Sequence, residues 1–185
     1  MRIIAGSARS LPLKTVPGME SRPTTDRIKE TLFNILNSEI PGGRFLDLFA
    51  GSGQIGLEAV SRGAEKAVFV ENNKKAAACI EENIKFTKFT DSCTLLVQDV
   101  VTAIKRMKGM EPFDLIFMDP PYGKGLEQEA LKALSESSLL TEDTLIVVEA
   151  SLNTDFFYTE ELGFTIMREK AYKTNKHVFL QYHVT

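Results

Sequence analysis

Four consecutive residues, Asp119-Pro120-Pro121-Tyr122, follow the apolar run Asp114-Leu115-Ile116-Phe117-Met118. Two prolines in succession hold φ at about −65° and remove two backbone donors. The turn is therefore stiff, and its carbonyls meet no competing N–H from those residues. The Asp119 carboxylate and the Pro120 carbonyl can therefore converge as two acceptors on one amino group, and Tyr122 offers a flat stacking surface. That constellation suits methyl transfer to an exocyclic amine, a poor nucleophile because its lone pair is delocalised into the base ring. Two acceptors on its hydrogens tilt the nitrogen toward tetrahedral geometry and free the lone pair for in-line attack on a sulfonium methyl. Positioning and electrostatics supply most of the effect. No metal is required, and Asp119 need not act as a full base. The competing reading is a Pro-Pro-Tyr segment that only makes a tight exit from a strand.

A second segment, Phe45-Leu46-Asp47-Leu48-Phe49-Ala50-Gly51-Ser52-Gly53-Gln54-Ile55-Gly56, runs from a buried strand through a glycine turn into a helix. Gly51 and Gly53 clear side chains where the backbone turns and approaches a ligand, and Gly56 permits close helix packing. Glu71 lies 20 residues after Gly51, at the end of the next strand, placed to accept hydrogen bonds from ribose hydroxyls. The pattern predicts a nucleotide-like cofactor without choosing among NAD, FAD and S-adenosylmethionine. Asp47 leans toward the last, because a carboxylate beside the turn suits a cationic amino group better than a pyrophosphate.

The elements that must position these groups alternate regularly. Strands are expected at Arg44–Phe49, Ala67–Glu71, Thr94–Gln98, Asp114–Met118 and Thr144–Glu149, with helices near 54–62, 73–86, 100–108 and 126–137. The strands are short continuous apolar runs, as when helices cover both faces of a parallel sheet. A helix from Asp26 to Ser38, capped by Thr24 or Thr25, precedes them. Phe164–Tyr172, a Lys173-Thr174-Asn175-Lys176 turn and His177–Val184 read as a closing antiparallel hairpin. The expectation is an α/β fold, a Rossmann-like, mostly parallel seven-stranded sheet with ligands at the carboxyl ends of its strands. His177 and His183 read as structural, Cys79 as a small core residue, and Phe156-Phe157-Tyr158 as core packing rather than an exposed patch.

The chain has 185 residues, enough for one domain, and its 43% hydrophobic and 25% charged content excludes disorder. No apolar run approaches the roughly 20 residues of a membrane span, and no secretory signal opens the chain. Two cysteines in unrelated patterns indicate neither a disulfide framework nor a metal site. A cytoplasmic monomer is expected. The net charge of −3 hides a gradient: residues 1–29 carry +4 and the last 18 carry +3, around a centre of −10. Basic ends around an acidic middle suit a nucleic-acid enzyme gripping a backbone with its ends, although short charge runs are also ordinary solvated faces. Residues 1–25 read as a basic arm and 26–185 as the catalytic domain.

The sequence resembles the class I S-adenosylmethionine-dependent methyltransferases with an Asp/Asn-Pro-Pro-Tyr motif. Within them it is similar to the RsmD family of bacterial 16S rRNA guanine-N2 methyltransferases. Arg2-Ile3-Ile4-Ala5-Gly6, Arg22-Pro23-Thr24-Thr25-Asp26-Arg27, Asp47 to Gly53, Glu58-Ala59-Val60-Ser61-Arg62-Gly63-Ala64 and Asp119 to Tyr122 carry the likeness. The Arg-Pro-Thr and Ser-Arg-Gly-Ala segments are the more specific to the family. The resemblance implies that Asp47, Phe49, Ala50, Gly51, Ser52 and Gly53 hold the methionine part of S-adenosylmethionine, Glu71 the ribose, and Asp99 the adenine amino group. It implies that Asp119 and Pro120 grip the guanine amine with Tyr122 stacked on the base. Arg9, Arg22, Thr24 and Arg27 become RNA-contact candidates, with the small ribosomal subunit as partner. Two departures, a Gly6–Leu13 loop with one basic residue and Lys173 where glycine is usual, fall in regions expected near RNA. DNA adenine-N6 or cytosine-N4 methylation, protein glutamine methylation and NAD-dependent oxidoreduction are the rival readings. A chain this short has no residues left for a DNA-recognition domain, and an oxidoreductase has no use for the Pro-Pro-Tyr turn.

Overall fold

The computed structural model describes residues 1–18 and 25–183. Five helices and seven strands alternate as α1 (Asp26–Leu36), β1 (Arg44–Leu48), α2 (Gln54–Ser61), β2 (Lys66–Val70), α3 (Lys74–Thr87), β3 (Cys93–Leu96), α4 (Val100–Arg106), β4 (Leu115–Met118), α5 (Leu126–Ser135), β5 (Leu145–Ser151), β6 (Phe164–Ala171) and β7 (Asn175–Tyr182). One sheet contains all seven strands in the order β3-β2-β1-β4-β5-β7-β6. β1 to β5 are mutually parallel, and β7 runs antiparallel to both β5 and β6. The Rossmann-like architecture, the mostly parallel sheet and the antiparallel hairpin are as the sequence predicts.

Side chains alternate strictly along the central strands, which splits the core in two. Leu46, Leu48, Ile116 and Met118 face α4 and α5 with Ile104, Leu131 and Leu134. Phe45, Leu115, Phe117 and Val147 face α1, α2 and α3 with Leu32, Phe33, Leu57 and Ile80. Strands buried on both faces read as unbroken apolar runs, and for that reason they are legible in sequence. Several ends shift. β3 stops at Leu96 rather than Gln98, α1 stops at Leu36 rather than Ser38, and the closing turn narrows to Lys173-Thr174. Asn175 and Lys176 already pair within β7, and the Tyr172 N–H donates to the Asn175 carbonyl at 2.8 Å.

Residues 1–18 lie on the α1–α3 face, with Ile3, Ala8, Leu13 and Val16 buried. Arg2 bridges to Pro12 in antiparallel fashion, and the Ile3 N–H donates to the Leu11 carbonyl. The Glu58 carboxylate on α2 accepts the Ile4 and Ala5 N–H groups at 2.9 and 3.1 Å. Ser61 Oγ accepts the Ala8 N–H and donates to the Ala5 carbonyl. Lys29 Nζ, fully buried, donates to the Arg2 carbonyl and lies 3.4 Å from Glu58, whose other oxygen receives Arg62 Nε at 2.8 Å. Burial lowers the Lys29 ammonium below its ordinary value, and the Glu58 charge opposes that shift. The Glu58-to-Ala64 segment thus clamps the arm to α2. Among the described residues no helix is long and apolar enough to cross a membrane.

Candidate active site and its relatives

Sheet order reverses between β1 and β4, so their carboxyl ends border the crevice that doubly wound sheets offer to ligands. The register pairs Leu48 with Val70 on one side and with Met118 on the other. The next residues along these three strands are Phe49, Glu71 and Asp119, which the fold thereby sets in one row. Asp47 lies one step back from the end of β1, buried, with its carboxylate accepting the Gly56 N–H at 3.0 Å. Burial pushes the Asp47 carboxyl well above the usual range. The Gly56 hydrogen bond opposes that shift, and the negative Glu71 adds to it.

The loop between them is conformationally demanding. Phe49 has φ +59°, uncommon for a residue with a side chain, and Gly51 shares that value. A Cβ on Gly51 would meet no protein atom within 4 Å, so the backbone is open to close approach. At Gly56 the reverse holds: a Cβ would come within 2.4 Å of the Phe69 ring, so only glycine lets α2 settle on β2. Glu71 pins the loop, accepting the Gly51 N–H at 2.9 Å through one oxygen and the Asn73 N–H at 2.8 Å through the other.

Beside this loop a cavity of about 110 Å³ is lined by Phe49, Val70, Glu71, Gln98, Asp99 and Val100, among others. Asp99 is exposed and caps α4, accepting the Thr102 N–H at 3.0 Å; hydrogen bonds from the Thr102 side chain and then from its N–H hold the Asp99 carboxyl below the ordinary value. Gln98 Oε1 is buried without a hydrogen-bond partner among the described residues. Gln98 carries no signal in the sequence, where it reads as the last residue of the Thr94–Gln98 strand; β3 ends at Leu96 and leaves it on the turn. A cofactor with an amino-bearing ring fits this cavity: an orphaned acceptor, an aromatic wall and a carboxylate at the lip are what such a ring would engage.

Asp119 is half-buried, Pro120 buried and Tyr122 half-buried, and Gly123 and Gly125, both at positive φ, lead the turn into α5. The cofactor-loop candidates and the Asp119 turn therefore meet at one edge of the sheet. Arg9 and Arg27 are exposed in the arm and on α1, while Arg22 and Thr24 lie outside the described residues. Thr25 caps α1, accepting the Ile28 N–H. The charge gradient is thinner than the sequence suggested, since Lys29 is buried, Arg2 pairs with Asp26 at 3.1 Å and Lys14 pairs with Glu82. Phe156 and Tyr158 pack in the core, but Phe157 between them is 81% exposed. Among the described residues no cluster of histidine, cysteine and carboxylate side chains could hold a metal.

A family model described as "Conserved hypothetical protein 95" matches residues 1–181. The Ribosomal RNA small subunit methyltransferase D of Haemophilus influenzae is 36% identical over 174 residues, covering 92% of this chain and 88% of the relative. The protein of that name in Escherichia coli K12 is 36% identical over 173 residues, covering 92% and 84%. Among solved structures, yhhF of Escherichia coli superposes with a TM-score of 0.85 at 31% identity, covering 100% of this chain and 99% of that one. Match, identity and coverage agree with the motifs, and the chain belongs to this family, the RsmD family of methyltransferases.

Proposed function

We propose that the protein transfers a methyl group from S-adenosylmethionine to the exocyclic N2 amine of a guanine in 16S rRNA of the small ribosomal subunit. The observation that carries the reading is the row of β-strand ends that brings the Asp119-Pro120-Pro121-Tyr122 turn beside the open Gly51 loop. The names of the two methyltransferase D relatives support the substrate.

In this reading Asp47 and the backbone from Phe49 to Gly53 hold the methionine end of the cofactor. Glu71 holds the ribose, and the cavity with Gln98 and Asp99 holds the adenine. The bound cofactor supplies an electrophilic methyl on a sulfonium. Asp119 and the Pro120 carbonyl accept the two amine hydrogens and orient the nitrogen lone pair, while Tyr122 stacks on the base. Positive charge develops on the nitrogen during attack, and the Asp119 carboxylate stabilises it; the now acidic proton leaves after the methyl has arrived, so Asp119 need not act as a full base in the transition state. Arg9, Arg22, Thr24 and Arg27 are the proposed RNA contacts, and exposed cations such as Arg9 and Arg27 suit a role in docking a phosphate backbone.

Asp119→Ala tests the assignment. Turnover on small subunits lacking the modification should fall by at least ~100-fold. Affinity for S-adenosylhomocysteine, measured by titration calorimetry, should stay within about threefold, because the carboxylate acts on the amine. Retained turnover, or tight NAD binding in place of S-adenosylhomocysteine, would contradict the reading.

A further inference from the structure

One buried charge at this edge of the sheet is used neither by the cofactor loop nor by the Asp119 turn. Parallel pairing sets Met118 of β4 against Val148 of β5. Asp119 and Glu149 are the next residues along these two stretches of chain, directly after the last pair of that ladder. Glu149 is only 2% exposed. Its Oε1 lies 2.7 Å from Nε2 of His177, the residue paired with it across β7 and itself fully buried. His177 has little freedom, since its ring meets Phe117 edge-on at 6.1 Å and Tyr172 at 5.1 Å. Among the described residues no lysine or arginine pairs with Glu149. The burial of a carboxylate is costly unless hydrogen bonds compensate, and here one imidazole holds one of its two oxygens.

Guanine presents two neighbouring donors on one edge, the N2 amine and the N1–H. Adenine and 2-aminopurine carry a lone pair at N1. Once Asp119 and Pro120 hold the amine, the N1–H beside it needs an acceptor on the same side of the crevice. Resting on the guanine reading above, we infer that Glu149 accepts the N1–H of the target guanine and so determines base specificity. His177 is the positioning residue that fixes its carboxylate. A base without that donor sets a lone pair against a buried anion, the kind of mismatch that polar sites reject strongly.

The test uses the full-length enzyme and small subunits reconstituted with RNA carrying either guanine or 2-aminopurine at the mapped position. Both bases keep the amine, and only guanine has the N1–H. Wild type should favour guanine by at least ~100-fold in kcat/KM. Glu149→Gln, whose amide can donate to N1, should narrow the preference to within about tenfold while S-adenosylhomocysteine still binds. His177→Phe should lower kcat on guanine without weakening the cofactor, and His177→Gln, which keeps a donor to Glu149, should restore much of it. Equal rates on the two bases, or an unchanged preference in Glu149→Gln, would overturn the inference and leave N2 methylation standing. No transfer to guanine by wild type that binds S-adenosylhomocysteine would overturn the guanine reading, and this assignment with it.

Discussion

Helix α2 has a buried carboxylate near each end, and the two are treated in opposite ways. Glu58, toward its carboxyl end, is matched by Lys29 and Arg62 and accepts two backbone N–H groups from the arm. Asp47, against its amino end, is equally buried, yet it accepts a single amide and sits near a second negative charge, Glu71. The first is a closed network in which every charge has a partner, which suits a joint meant never to open. The second is an anion short of compensation, at the mouth of a loop whose backbone is exposed to close approach. A site left electrostatically incomplete is one that a cationic ligand completes.

Breaking the closed network should have the largest effect. Glu58→Ala strands the Lys29 ammonium in the core and releases the Ile4 and Ala5 amides, a change that typically costs about 3–5 kcal/mol. Urea unfolding should show a large fall in the transition midpoint. A loss of less than about 1 kcal/mol would mean that the arm holds by apolar contact alone.

The opposite sign is expected at the incomplete site. In the unfolded chain Asp47 releases its proton near the ordinary 3.8, whereas the folded chain keeps it to higher pH. The unfolded state therefore binds fewer protons across that window, and stability is lost as pH rises through it. Asp47→Asn has no proton to lose. Its thermal midpoint should match the wild type near pH ~3 and exceed it increasingly toward neutrality. Affinity for S-adenosylmethionine should fall by about 10- to 100-fold, the worth of one charge-assisted hydrogen bond. A variant that is both less stable at neutral pH and unchanged in affinity would reverse the contrast with Glu58.

The same contrast explains what could be read in the sequence. Parallel strands such as Leu115–Met118 were legible because burial on both faces leaves an unbroken apolar run, and the Gly51 loop because only certain residue types turn that way. Glu58, Ser61 and Arg62 stood out as a family signature, but their partners Ile4, Ala5, Ala8 and Lys29 lie 29 or more residues away. No local pattern carries that pairing. Lys29 adds to the positive charge of residues 1–29 in sequence, because charge tallies do not see burial. Glu149 looked like the polar end of a strand, and His177 like a structural histidine. Their juxtaposition depends on β7 inserting between β5 and β6, a step that periodicity along the chain does not encode.

The smallest effect carries the contrast to the surface. Arg9 and Arg27 are exposed, whereas Arg2 and Lys14 are engaged with Asp26 and Glu82. A cation that neutralises an RNA phosphate releases a counterion, so removing it should reduce the slope of log affinity against log salt by about 0.7–0.9. Arg9→Ala and Arg27→Ala should each show that reduction in filter binding to the small subunit across a salt series. Arg2→Ala should show less, because Asp26 already neutralises that guanidinium and would be left as an uncompensated negative charge near the RNA. Weaker binding with an unchanged slope in Arg2→Ala would mark repulsion by Asp26 rather than a lost contact. Equal slope changes in all three variants would mean that the Arg2–Asp26 pair opens on docking, and that a partner at the surface, unlike one at Glu58, commits nothing.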